Sequence, residues 1–173
     1  MNMNRRTWLL AALSATVLAG CDREVASAAV TPHEIDPATT CDLDGMLLAD
    51  YPGPKAQIHY AGQAKPVFCC DTVEMFSTLL VPEQVRTVRA VFVQDMGRAD
   101  WAQPRGHWID AKAAWYVAGS KRHGSMGPTI ASFLAEADAR RFVADHGGKV
   151  VRFAEVTPAM VDLGGGAQQH GGM

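Results

Sequence analysis

The chain has 173 residues, with 16 Lys and Arg against 18 Asp and Glu and a formal charge of −2. A balance this close to neutral, with no basic stripe, argues against a nucleic-acid partner. The 48% hydrophobic content is that of a chain able to build a core, and four cysteines are few enough to be weighed one at a time.

The chain opens with Arg5 and Arg6, followed by an apolar run from Trp8 to Leu18. That run has the length of a signal-peptide core and is too short to cross a bilayer as a helix. Leu18-Ala19-Gly20-Cys21 comes next and resembles a bacterial lipobox, in which Cys21 is lipidated and becomes the first mature residue. The expectation is an exported protein, held by acyl chains on the periplasmic side of a membrane. Asp22 resembles the residue that retains some lipoproteins at the inner membrane. A cleavable signal with a chance cysteine is the plainer alternative. Loss of residues 1–20 removes two arginines and no acid, leaving 14 basic against 18 acidic residues. Residues 21–39 read as a lipid-anchored tether, and the Gly-, His- and Met-containing stretch 163–173 as a tail unable to pack.

Between them the chain reads as two units of one pattern. In the first, 40–96, Ala56 to Tyr60 and Lys65 to Cys69 are short strands around a turn at Gly62. Asp71 is an N-cap with Glu74 three residues on, as in a capping box, and Val73, Met75, Phe76, Leu79 and Leu80 recur at helical spacing. Pro82 ends that helix, and Arg86 to Val93 alternates like a strand. Residues 97–107 connect the units, and the tryptophans at 101 and 108 imply a connection that is packed down. In the second unit, 108–162, Ala113 to Val117 is a strand, 119–128 a loop and Thr129 to Phe133 a strand. Glu136 to Asp145 is a helix stopped by Gly147-Gly148, and Lys149 to Phe153 closes the unit as a strand. Each unit is ββαβ, which predicts an α+β fold of two small sheets, each with a helix, packed as one module.

The chemistry-bearing residues are sulfurs. Cys41 and Met46 flank Gly45 at the start of the fold, His123 and Met126 sit on a glycine-flanked loop of the second unit, and Cys69-Cys70 end a strand. Thiolate with thioether favours Cu(I), a soft ion, over zinc or hard cations. Duller readings stand beside this one. An oxidising compartment permits a disulfide between Cys41 and Cys69 or Cys70, Met46 and Met75 can be core, and His170 and Met173 lie in the tail. There is no G-x-S-x-G elbow, P-loop or C-x-x-C, and no acid–base pair at a recognisable spacing.

These segments in this order resemble the NosL family of copper-binding lipoproteins. The resemblance is carried by the lipobox, Cys41…Gly45-Met46, Tyr51-Pro52-Gly53-Pro54-Lys55, Phe68-Cys69 and Val93-Gln94-Asp95-Met96-Gly97. It continues through Trp108-Ile109-Asp110-Ala111 and Gly124-Ser125-Met126-Gly127-Pro128-Thr129. It implies a Cu(I) chaperone rather than an enzyme. The partners implied are apo nitrous oxide reductase and the membrane transporter complex that serves its maturation. Many relatives carry C-x-x-C-G-M at the first cluster, and Asp44 stands here at the second cysteine. The resemblance with the local chemistry gives Cys41 and Met126 as principal ligands, Met46 as a third and His123 as a further one. Cys69 and Cys70 remain as secondary ligands or disulfide partners. Two rivals are a thiol-dependent enzyme on an organomercurial-lyase-like fold, and an interaction lipoprotein with bridged cysteines.

Overall fold

Two small antiparallel sheets carry the fold of residues 29–162, the part described by the computed structural model. The expected leader, Cys21 and the expected tail from residue 163 lie outside the described residues. The first sheet has β1 (Ala56–Tyr60) at its centre, flanked by β2 (Val67–Cys69) and β3 (Val88–Gln94), with α1 (Thr72–Leu80) between the last two in sequence. The second has β5 (Trp115–Ala118) at its centre, between β8 (Ala131–Phe133) and β9 (Lys149–Arg152), with α2 (Glu136–His146) preceding β9. The expected ββαβ pattern is therefore present twice with one topology: the first strand central, the second on one side, the post-helix strand on the other.

Three details differ from the sequence reading. Trp108–Asp110, placed above at the head of the second unit, forms β4 and pairs with β3, so it belongs to the first sheet. The stretch expected as a plain loop holds a hairpin of β6 (His123–Gly124) and β7 (Gly127–Pro128), too short for alternation to betray. Part of the expected tether is packed: Ile35 is buried with Leu48, and the backbone of His33 exchanges two hydrogen bonds with the Gln57 side chain, each under 3 Å.

The two units share one core. Strand alternation on β5 sends Tyr116 toward α1 and Val117 toward α2. Phe76 of α1 meets the Tyr116 ring edge-on with centroids 5.1 Å apart, and the Tyr116 hydroxyl donates to the Ala111 carbonyl at 2.7 Å. Met75 is buried in this core, with Ile58, Val91, Val93 and Val151. Helix α2 covers the far face of the second sheet through Ala139 and Phe142. The connection between units is tied down as its tryptophans imply. Trp101 stacks on Phe142, and its indole N–H donates to the His123 carbonyl at 3.0 Å.

Candidate metal centre

The residues Cys41 to Met46 form a closed turn. The Cys41 N–H donates to the Met46 carbonyl at 2.8 Å, and the Gly45 N–H returns to the Cys41 carbonyl at 2.9 Å. Gly45 has φ +77°, the left-handed conformation that such a turn needs and that glycine adopts without a steric cost. The Asp44 carboxylate accepts the Met46 N–H at 2.9 Å, so aspartate here shapes the turn as well as carrying charge. The turn is pinned to β2: the Asp42 N–H donates to the Phe68 carbonyl at 2.9 Å, and the Phe68 N–H donates to the Asp42 carboxylate at 2.6 Å.

Cys69 and Cys70 part company because consecutive residues of an extended segment face opposite ways. Cys69 points into the shared core beside Val73 and Phe76, where burial drives its thiol well above the ordinary cysteine range. Cys70 points the other way and packs with Cys41, Leu48 and Ile35, with Met46 against them. Its backbone N–H donates to Glu74 at 2.9 Å. Glu74 thus departs from the expected capping box: its carboxylate reaches one residue beyond the N-cap and turns toward the thiols. Asp71 does cap the helix, accepting the Val73 N–H at 2.9 Å.

The outcome is a cluster of Cys41, Asp44, Cys70 and Glu74 in which one donor atom from each lies within 4.8 Å of the others. The Cys41 sulfur is 3.3 Å from a Glu74 oxygen, and the Cys70 sulfur 3.9 Å from an Asp44 oxygen. The two thiols are unequal. A hydrogen bond from the Cys70 thiol holds the Cys41 pKa below its ordinary value against the opposing effect of burial, and the Leu43 N–H helps. That same hydrogen bond, with burial and the Glu74 charge, holds Cys70 up. Cys41 is therefore the thiol that ionises first. Cys41, Cys69 and Cys70 are free thiols.

The second unit reaches this centre through its hairpin. The Ser125 hydroxyl donates to the Cys70 carbonyl, and the ammonium of Lys55 donates to Ser125 Oγ and to the Pro52 carbonyl, both at 2.9 Å. Lys55 is fully buried, and burial lowers its pKa to about 8, resisted chiefly by Asp71 and Cys70. The backbone of the hairpin comes close because two glycines meet: a Cβ on Gly53 would lie 2.6 Å from the Gly124 Cα. Met126, next to Ser125, is 45% exposed and lines a groove with Val73, Ile130 and Met160. His123 is exposed and lies outside the four-residue cluster. Of the residues singled out in the sequence, Cys41, Cys70 and Met46 come together, Cys69 faces elsewhere, and Met126 sits on the hairpin in the separate groove of Val73, Ile130 and Met160.

Burial pushes the Asp71 carboxyl up to about 6, against the pull of the Val73 N–H, the Thr129 hydroxyl and Lys55. The folded chain then holds a proton that the unfolded chain has already released between about pH 4 and 6. Its stabilising effect is complete below pH 4 and is lost as pH rises through 6. Asp71→Asn should flatten this part of the stability–pH curve, read by denaturant unfolding at pH 4, 5 and 6. An unchanged slope would remove Asp71 as its cause.

The NosL family profile matches residues 32–161. The copper-binding lipoprotein NosL of Stutzerimonas stutzeri is 39% identical over 168 residues, covering 95% of this chain and 86% of that protein. The protein of the same description from Achromobacter cycloclastes is 37% identical over 161 residues, covering 91% and 83%. The crystal structure of the copper chaperone NosL from Shewanella denitrificans superposes with a TM-score of 0.71 at 42% identity. It covers 75% of this chain and 97% of that one. A profile match over most of the chain, relatives at these identities and a shared fold agree, and the chain belongs to the NosL family.

Proposed function

We propose that this protein is a membrane-tethered periplasmic chaperone that binds Cu(I) and delivers it for assembly of nitrous oxide reductase. Its partners are then the apo-reductase and the membrane transporter complex of its maturation, and Cys21 is its lipid anchor. The observation that carries this reading is the pair of thiols, Cys41 and Cys70, with the Met46 thioether packed against them. Two sulfurs of different acidity and a thioether form a donor set suited to a soft monovalent ion. The names of the relatives, copper-binding lipoprotein and copper chaperone, support the same cargo.

Transfer proceeds by ligand exchange, without turnover. Cys41 supplies the thiolate, Met46 and Cys70 supply neighbouring sulfur, and Met126 completes the set from the hairpin, with His123 as a further donor. Because Met126 is half-exposed, a partner's sulfur or imidazole can take its place first, leaving copper shared before it departs. Met126→Ala should weaken Cu(I) binding by about tenfold, equivalent to roughly 1.4 kcal/mol, with apo melting nearly unchanged. Competition against a chromophoric Cu(I) chelator measures this, and an unaltered affinity would reject the role. X-ray absorption on the Cu(I)-loaded protein tests the whole reading: sulfur-dominated coordination is expected, and failure to retain copper under reducing conditions would end it.

A further inference from the structure

The thiol pair and the point where the chain enters the fold lie at opposite ends of the first sheet. Strand β1 runs from Ala56, paired with Cys69 at the metal end, to Tyr60, paired with Val88. Helix α1 starts beside Cys70 and returns over nine residues, roughly 13 Å, to the Tyr60 end. Upstream, the His33 N–H is held by Gln57, and Ala29 and Val30 line a hollow with Tyr60, Gln63 and Arg89. Cys21 precedes Ala29 by eight residues, a reach of at most about 28 Å. An anchor at Cys21 therefore holds the Tyr60 end, and not the thiols, near the bilayer.

That end presents apolar side chains to the outside. Val85 is 89% exposed and Val81 46%, both on the loop joining α1 to β3. The loop is pinned in place. Gln84 Nε2 donates to the Tyr60 hydroxyl at 2.9 Å, and the Ala61 N–H donates to the Thr87 carbonyl at 2.8 Å. The Arg86 guanidinium lies 3.7 Å over the Tyr60 ring. Leu80, Val81 and Pro82 continue the apolar surface into a groove closed by Pro158 and Val161. Lys65, Arg86 and Arg89 are exposed around this end, with Glu83 and Asp162 among them, whereas the metal end carries Asp42, Asp44 and Glu74.

We infer that the 81–87 loop is a second membrane contact, with Val81 and Val85 entering the headgroup–acyl boundary and Arg86 and Arg89 meeting anionic headgroups. This contact rests on the lipid anchor at Cys21 proposed above. Two valines bind lipid weakly alone, but the anchor supplies the first attachment and the loop then sets orientation. Anionic lipid attracts the cationic rim and repels the acidic metal end, so both forces turn the molecule the same way. The thiol pair then faces away from the surface, open to a partner and clear of lipid.

The test uses the chain purified from membranes and rebuilt into vesicles of phosphatidylethanolamine and phosphatidylglycerol, against its Cys21→Ser form free in solution. Amide hydrogen exchange over 81–87 should slow on vesicles by about tenfold, or roughly 1.4 kcal/mol of added opening cost, while 41–46 stays unchanged. Val85→Ser should remove most of that slowing and Val85→Asp all of it, with melting and Cu(I) uptake unaltered in both. No slowing at 81–87, slowing at 41–46 in its place, or slowing that survives Val85→Asp overturns the contact and leaves the anchor standing. Protection seen in native membranes but not in pure lipid gives this face to a protein partner and overturns it equally. An intact mass showing Cys21 without acyl chains would overturn the anchor, and this inference with it.

Discussion

Cys41→Ser is expected to lower Cu(I) affinity about a hundredfold or more, equivalent to roughly 2.7 kcal/mol of binding free energy. Cys41 is the thiol whose pKa is held down, through the hydrogen bond from Cys70 and the Leu43 N–H, so it offers thiolate to copper at the least cost. Serine keeps the size but presents a hard hydroxyl that stays protonated. What remains is Cys70, whose own ionisation is opposed by burial and by Glu74. Cys69→Ser makes the contrast, since its sulfur faces the core and its loss should leave copper binding intact. Chelator competition on the two variants reads the difference directly. Equal affinities would mean that the ion sits elsewhere than beside Cys41.

The largest loss of stability is expected from Gly53→Ala. Gly53 has φ +82°, and its new Cβ would lie 2.6 Å from the Gly124 Cα, a backbone atom that cannot swing aside. Gly124 cannot retreat, because its own Cβ position is 2.2 Å from an Asp71 oxygen and 2.9 Å from the Thr129 Cβ. Left-handed strain and overpacking together should cost about 3 kcal/mol, about 10 °C of melting temperature for a domain of this size. Gly45→Ala separates the two causes. Gly45 shares the positive φ but has nothing within 4 Å of its Cβ position, so its loss should be about 1–2 kcal/mol. Thermal unfolding of the pair decides this. If both fall equally, the close approach of the hairpin contributes nothing.

Much of the fold was legible from local pattern. Ala56 to Tyr60 is a strand with the bounds its residues predict, and α2 begins at Glu136 and runs to His146, up to the glycine pair that stops it. What local pattern could not supply was partnership. Trp108–Asp110 reads as the head of the second unit because it follows the connection, yet it pairs with β3, a choice made by the free edge of the first sheet. In the centre, Cys41 and Met46 were marked by their own spacing. Cys70 stood equal with Cys69 until the exit from β2 fixed which of them faced the turn. Glu74 carried a helix-start signature that accounted for it fully, and so hid its approach to the thiols. Asp44 stood out only as a departure from the family pattern, and nothing local foretold that its carboxylate lies 3.9 Å from the Cys70 sulfur. Lys55 had no signal as a buried charge, because its burial comes from a hairpin contributed 70 residues later in the chain.

The shared core also explains why two halves of one topology have so little sequence in common. Helix α1 lies between the sheets and meets apolar neighbours through Val73, Met75 and Phe76. Helix α2 has one flank in water, where Glu136, Arg140 and Arg141 pair along its surface or reach out to solvent. Equivalent positions thus answer to different solvents, and a residue copied from one half into its twin would be asked to do the opposite job. Symmetry of path survives in such a molecule while symmetry of composition is worn away, so kinship between the halves is to be sought in strand order and not in letters.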